Sequence, residues 1–335
     1  MTSTDALSMR AAVVTRYGAP DVLQVVQQPR PTPGPGEVLV RVRTSSVNSG
    51  DARMRALRVP DGMTLLMRLA VGWRGPRRPV LGADFAGEVA AVGAGVTTHQ
   101  VGDPVMGFTG IRLGAHAEYL CVPAALAHPK PAALSWEDAA ALLFGGTTAM
   151  HYLVHAAKVQ PGERVLVIGA SGAVGVAAVQ VAARAGAVVT GVCGAANAAM
   201  VRSLGAADVI DYRVEDFTRR DARWDVVMDC VGATDYARCA HVLAPGGRLL
   251  RVVCGLGGII AAPWQGRRAG HRVIAGVAAE RPEDVRALIA RAAAGEHRVV
   301  VDDVLPLDRI ADAHARVDGG HKRGSLVLRL AESTG

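Results

Sequence analysis

Residues 165–175 read VLVIGASGAVG. An apolar run ends in small residues. Ala170, Gly172 and Gly175 fall at the three glycine positions of GxGxxG, with Ala in the first. In such a turn the middle glycine lets the backbone approach a pyrophosphate. The last lets the helix pack close to its strand, and the helix N-terminus aims amide donors at phosphate charge. Ser171, Ala173 and Val174 complete the turn. The same run also suits a close-packed strand-to-helix turn with no ligand, so its surroundings must decide.

A dinucleotide site that prefers NAD carries an Asp or Glu about twenty residues further on, where it holds the ribose hydroxyls. Residues 164–207 contain no acid at all. The second strand ends VTGVCGAAN, which puts Cys193 in the acid's usual place. A 2′-phosphate is then not repelled, and Asn197, Arg202 and Tyr212 are its candidate hosts. The expected cofactor is NADPH, with NADH less favoured.

These residues need a scaffold. From about Ser135 onward, apolar runs at 165–168, 188–193, 208–211, 225–229, 247–253 and 271–277 alternate with helical patterns at 174–185, 197–204, 233–242 and 282–294. SWEDAAALL opens this region with an N-cap Ser. Strict βαβα alternation predicts a parallel, doubly wound sheet, the context in which the glycine turn binds a dinucleotide. Before Ser135, short alternating runs broken by Gly and Pro, such as GEVLVRVRTSSVN (36–48) and DFAGEVAAVG (84–93), predict a barrel or sandwich-like domain. The stretch from Arg55 to Pro79 carries six arginines and a short helical pattern over Met63–Leu69, and reads as an exposed flap. After about residue 298 come a strand, a helix over 307–320 and a final strand over 325–330.

Composition narrows the function classes. The 335 residues are 50% hydrophobic and 20% charged, an ordinary globular composition, and the length suits two domains or one very large one. No apolar run is long enough to span a membrane, and MTSTDALSMR has no apolar core behind a basic start, so neither a membrane partner nor a signal peptide is expected. The five cysteines form no CxxC pair and fit a reduced, cytoplasmic chain. The net charge of +7 comes without any nucleic-acid module or basic-aromatic stripe, so no nucleic-acid partner is expected.

The motifs VNSGDARMR (47–55), GADFAGEVAAVG (82–93), VGDPVMG (101–107), GAHAEYL (114–120), FGGTTAMHYL (144–153), SLGAADVIDY (203–212), DVVMDCVG (225–232), LAPGGRLL (243–250) and HKRGSLVL (321–328) flank the glycine turn in order. Together they resemble the quinone oxidoreductase branch of the medium-chain dehydrogenase/reductase superfamily over about residues 9–330. The resemblance implies an α/β protein with a GroES-like β-barrel catalytic domain, split between residues 1–135 and 279–335, and a Rossmann doubly wound parallel-sheet domain over 136–278. It also implies a homodimer.

Zinc members of that superfamily use a Cys and a GHE motif at the catalytic metal. Here Asn48 falls near the Cys position and Gly82-Ala83-Asp84 replaces GHE, while the four-Cys lobe for structural zinc has no counterpart. His151 and His155, four apart, are too few for a closed metal site, and no metal is expected. By resemblance, Asn48 and Thr148 lie near the nicotinamide. Cys230, Val231, Val253 and Gly255 come from loops at strand ends, and Lys322 and Arg323 close over the cofactor. Asp51, Tyr119 and His151 are the candidate proton donors, although water can protonate an enolate unaided. The expected reaction is zinc-independent hydride transfer from NADPH to an enone, a quinone or a related carbonyl, with a small molecule as substrate. A zinc-free NADP-dependent alcohol dehydrogenase and a non-catalytic, crystallin-like dinucleotide-binding protein are the alternatives.

Overall fold

The computed structural model describes residues 8–58, 64–320 and 322–330. The readings that touch residues 1–7, part of the arginine-rich stretch (59–63, including Met63) and His321 lie outside the described residues. The chain forms two compact units. Of the described residues, one gathers 8–58, 64–144 and those from 289 onward, and the other holds 145–288.

In the first unit, β1 (Ser8–Val14) and β2 (Leu23–Pro29) form an antiparallel pair. The main sheet is built from β3 (Glu37–Val47), β4 (Asp84–Val92), β5 (Pro104–Phe108), β6 (Tyr119–Pro123) and β7 (His128–Pro129). β3 sits at the centre of the sheet, paired antiparallel with β4 and β6, and its apolar side chains are buried. Val38, Val40, Val42 and Val47 all sit in the core with Phe85, Val89 and Val105.

The second unit carries β8 (Arg164–Ile168), β9 (Val188–Cys193), β10 (Asp208–Asp211), β11 (Trp224–Asp229), β12 (Leu243–Arg251) and β13 (Arg272–Ala275). They form one sheet in the order β10-β9-β8-β11-β12-β13, every neighbouring pair parallel. This is the 3-2-1-4-5-6 order of a dinucleotide-binding sheet, with the direction of winding reversing between β8 and β11.

The chain then returns to the first unit. There β14 (Val301–Pro306) runs parallel to β15 (Ser325–Arg329), and β15 pairs antiparallel with β3, Leu326 opposite Val47. The C-terminal segment thus completes the sheet that the N-terminal segment starts.

Four helices are α1 (Ser49–Ala56), α2 (Thr64–Val71), α3 (Trp136–Met150) and α4 (Ala173–Arg184), of which α1, α3 and α4 bear on the site. Ser135 caps α3, its hydroxyl accepting the Asp138 amide at 3.0 Å. Three local readings differ from what forms. The helix expected over 233–242 shrinks to Tyr236–Cys239. VNSGDARMR, read only as a motif, holds α1. Arg55, counted with an exposed flap, is fully buried, with one guanidinium nitrogen 2.5 Å from Asp318.

Candidate functional site: a glycine turn and its surroundings

The glycine turn joins β8 to α4, with Gly172 as the N-cap of α4 in an extended conformation. The two glycines do different work. A Cβ on Gly175 would come within 2.1 Å of the Gly169 carbonyl oxygen and 2.7 Å of the Ala170 Cα, so Gly175 is required for helix and strand to pack. A Cβ on Gly172 would meet only the Gly169 oxygen, at 3.6 Å, which is ordinary contact. The protein's own packing therefore makes no demand for glycine at 172. What remains is the open ground in front of the first turn of α4, where the amides of Ala173, Val174 and Gly175 have no acceptor within the helix. A dipole end and free amides beside an uncrowded backbone fit a pyrophosphate. Ala170 is fully buried beneath the turn and Ser171 is half-buried at its edge.

FGGTTAMHYL gains a reason here. Gly145 lets α3 lie against the same first turn, since a Cβ there would sit 2.3 Å from the Ala173 carbonyl oxygen. Thr147 and Thr148 follow in the next turn of α3 and are buried. After Met150 the helix widens into a π-helical stretch, His151–Ala157. There the Tyr152 hydroxyl reaches the Gly276 carbonyl at 2.7 Å and the Arg251 carbonyl at 3.2 Å, at the carboxyl ends of β13 and β12. Burial pushes the Tyr152 phenol up to about 12, so it stays protonated and holds these ends together. His151 and His155 have separate partners. The His151 Nδ1 accepts the Ala279 amide at 3.3 Å, and His155 faces the Asp284 carboxylate at 2.8 Å.

Cys230 and Val231 sit in the loop after β11, and one residue shapes that loop. The buried Asp229 carboxylate accepts four backbone amides, from Val231 (3.0 Å), Gly232 (2.8 Å), Ala233 (3.2 Å) and Thr234 (2.9 Å). This clamp engages the amides of 231–234, and Asp235 then caps the following helix by accepting the Arg238 amide at 3.0 Å, so the helix starts at Tyr236. Burial raises the Cys230 thiol, with the Asp229 charge adding to it, so it remains neutral. Val253 packs beside Gly232, and Gly255 caps a short helix, Leu256–Ala261.

At the end of β9, Cys193 is buried and its thiol is pushed up to about 11, first by desolvation and then by Asp211 on the adjacent strand. The Asp211 carboxylate accepts the Arg213 amide at 3.0 Å. Just beyond Cys193, a Cβ on Gly194 would lie 3.9 Å from both the Arg213 guanidinium and the Tyr212 ring. Tyr212 and Arg213 are exposed, with the Arg213 guanidinium 5.9 Å from the ring centre. Tyr212 was expected here, but Arg213 was not, because it lies past the window in which an acid or its replacement is usually sought. Asn197 ends a short turn after Gly194, and Arg202 is exposed on the following helix.

The first unit holds a buried polar cluster around Asn48. Its Oδ1 accepts the amides of Gly50 (2.8 Å) and Asp51 (3.2 Å), and its own amide donates to Asp51, a capping box that starts α1. The other Asp51 oxygen accepts the Gly82 amide at 3.1 Å. Asp51 is thus a clamp between two loops; burial raises its pKa, against the influence of His116. Asp84 accepts the Ser46 hydroxyl (2.7 Å), the Asn48 amide (3.5 Å) and the Phe144 amide (3.1 Å). These residues do not fit zinc. Asn48 and Gly82 offer it no anionic or imidazole ligand, and the Asp84 carboxylate is engaged three times. No group of three His, Cys, Asp or Glu side chains converges among the described residues.

Tyr119 lies on β6 beside the small cluster of Met9, Ala11 and Ala117, with Arg30 stacked 3.8 Å over its ring, a barrel position. Lys322 donates to the Gly324 carbonyl at 2.5 Å, and burial lowers its pKa to about 8 despite Asp302. Arg323 stands 3.5 Å from Asp302.

The chain is similar to known dehydrogenases and reductases. The family model of the alcohol dehydrogenase GroES-like domain matches residues 34–132, and that described as zinc-binding dehydrogenase matches residues 204–328. The chain is 30% identical to the human synaptic vesicle membrane protein VAT-1 homolog, covering 96% of this chain and 86% of that protein. It superposes on the quinone oxidoreductase from Coxiella burnetii with a TM-score of 0.86 at 27% identity, covering 97% of this chain and 100% of that one. A mycobacterial protein, Rv1454c, complexed with NADPH is 29% identical with a TM-score of 0.81, covering 96% of this chain and 99% of that one.

Proposed function

The chain is an oxidoreductase of the medium-chain dehydrogenase/reductase superfamily, and from that premise we propose that it is a zinc-independent reductase that takes NADPH and reduces an enone, a quinone or a related carbonyl. The observation that carries the dinucleotide site is the open Gly172 beside the crowded Gly175. NADPH bound to the mycobacterial relative supports the same cofactor here. So do the missing acid at Cys193 and the Tyr212–Arg213 pair against Gly194, which suit a 2′-phosphate.

When bound, NADPH supplies a hydride, and the protein supplies position and a dry wall. The first-turn amides Ala173, Val174 and Gly175 take the pyrophosphate charge. Arg213 offers a planar, permanently charged fork to the 2′-phosphate, and Tyr212 offers a flat face beside it. The Asp229 clamp fixes Cys230 and Val231, and the Tyr152 hydroxyl fixes the ends of β12 and β13. Thr148 projects from the turn of α3 that follows the Gly145 crossing. Asn48 is held in one rotamer by its capping box, and its amide faces Asp84.

No carboxyl, thiol or imidazole among the residues singled out is poised as a free acid. Asp51 is occupied by backbone amides, Tyr119 stands on the barrel strand β6 beneath Arg30, and the His151 Nδ1 accepts the Ala279 amide. Solvent water therefore supplies the proton that completes reduction. With the Asp84 carboxylate engaged as an acceptor and no ligand set for zinc among the described residues, no Lewis acid stabilises an alkoxide there, which favours reduction over alcohol oxidation. Elemental analysis of purified protein, with activity measured after chelation, tests this. Full activity without metal is expected, and one tightly held zinc per chain would overturn it.

A further inference from the structure

The arginine-rich stretch presents an unusual surface. In α2, Leu65, Leu66 and Leu69 lie on one side, and that side faces solvent, at 62%, 54% and 58% exposure. No residue of α2 is fully buried. Trp73, just past the helix, is 57% exposed. Ile111, 93% exposed, belongs to a neighbouring turn tied to this stretch by the Arg78 guanidinium, which donates to the Arg112 carbonyl at 2.8 Å. Singly exposed apolar residues are ordinary, but a helix that turns three leucines outward beside a tryptophan is not.

Arginines surround the patch. Arg74, Arg77, Arg78 and Arg112 are exposed, and Arg68 lies 5.9 Å from the rings of both Tyr17 and Trp73. Arg68, Arg77 and Arg78 donate to carbonyl oxygens of Trp73, Leu69 and Arg112, which are neutral partners.

We propose that this face docks on an anionic lipid surface, with Leu65, Leu66, Leu69, Trp73 and Ile111 entering the headgroup region and the arginines meeting lipid phosphates and carboxylates. An apolar strip flanked by cations and carrying an interfacial tryptophan has the chemistry of a helix that lies in a membrane interface. Such docking needs no spanning segment, so the lack of any helix long and apolar enough to cross a membrane among the described residues is consistent with it. Docking would bring the enzyme to substrates that partition into lipid. The charge complementarity is what selects a lipid surface over a second copy of this chain, whose matching patch would carry the same cations.

The test is co-sedimentation of the full chain with phosphatidylcholine vesicles, with and without phosphatidylserine, at low and high salt. Wild-type protein should partition onto the anionic vesicles, weaken with salt, and shift its tryptophan emission to the blue. Each of Arg74→Gln, Arg77→Gln and Arg78→Gln should lower partition about fivefold. The triple variant Leu65→Ser/Leu66→Ser/Leu69→Ser should abolish it while keeping the wild-type thermal midpoint, since these side chains support no core. Equal partition onto neutral vesicles, or none onto either, would overturn the proposal. So would self-association that the leucine variant abolishes without any vesicle binding, which would make the patch an interface between copies.

Discussion

A Cβ on Gly172 would stand 3.6 Å from the carbonyl oxygen of Gly169, whereas a Cβ on Gly175 would stand 2.1 Å from the same atom. One glycine is free to change as far as the fold is concerned, and its neighbour three residues on is not. Gly172→Val should therefore keep its far-UV spectrum and lose only modest stability, while NADPH affinity collapses because the branched side chain fills the phosphate's place. Gly175→Val should unfold or melt far lower. Measuring thermal midpoint and NADPH binding on the same preparations separates the two, and wild-type affinity in Gly172→Val would mean a turn without a ligand.

Arg213→Ala should weaken NADPH binding and leave NADH binding unchanged. Loss of a charge-assisted hydrogen bond costs about 1.5–3 kcal/mol, or roughly ten- to a hundredfold in affinity. Calorimetric titration with each cofactor reads this directly. An equal loss for both would place Arg213 elsewhere than at the 2′-phosphate.

Asp229→Asn should destabilise the protein by about 2–4 kcal/mol, because an amide cannot accept all four backbone N–H groups and turns a donor toward at least one of them. The chemical denaturation midpoint should fall. Replacement without cost would show that the loop holds itself.

His314 is buried with neither ring nitrogen hydrogen-bonded among the described residues, and it meets the His116 ring edge-on at 6.0 Å. Desolvation first, then His116 and Arg55, hold its pKa well below the ordinary 6.5. The folded state therefore resists a proton that the unfolded chain accepts. Stability should be fully present above about pH 6.5 and fall as the pH drops below it. His314→Leu should flatten that fall. An unchanged pH slope in the variant would assign the acid sensitivity to other groups.

Much of this was readable in advance where a pattern repeats. The strands at 165–168, 188–193 and 208–211 stand within a residue of their observed bounds, since short Val- and Ile-rich stretches between turns admit little else. The glycine turn was readable because its spacing is a backbone requirement. What escaped depends on contacts that spacing does not encode, most of them distant in sequence. The helix expected over 233–242 starts only after the Asp229 clamp and the Asp235 cap. Arg55 is buried by Asp318, 263 residues away. The π-helical turn at His151 is fixed by carbonyls at 251 and 276. Arg213 reaches Gly194 only because β10 pairs with β9. The outward-facing leucines of α2 invert the usual rule that apolar sides turn inward, so periodicity alone could not orient them.

The central claim is NADPH-dependent reduction, and the most direct test is the initial rate of NADPH oxidation by metal-free protein with a panel of small enones and quinones, run in parallel with NADH. The account predicts turnover with at least one acceptor and a higher kcat/KM for NADPH than for NADH. Tight NADPH binding with no oxidation by any acceptor, or equal kcat/KM for the two cofactors, would contradict it.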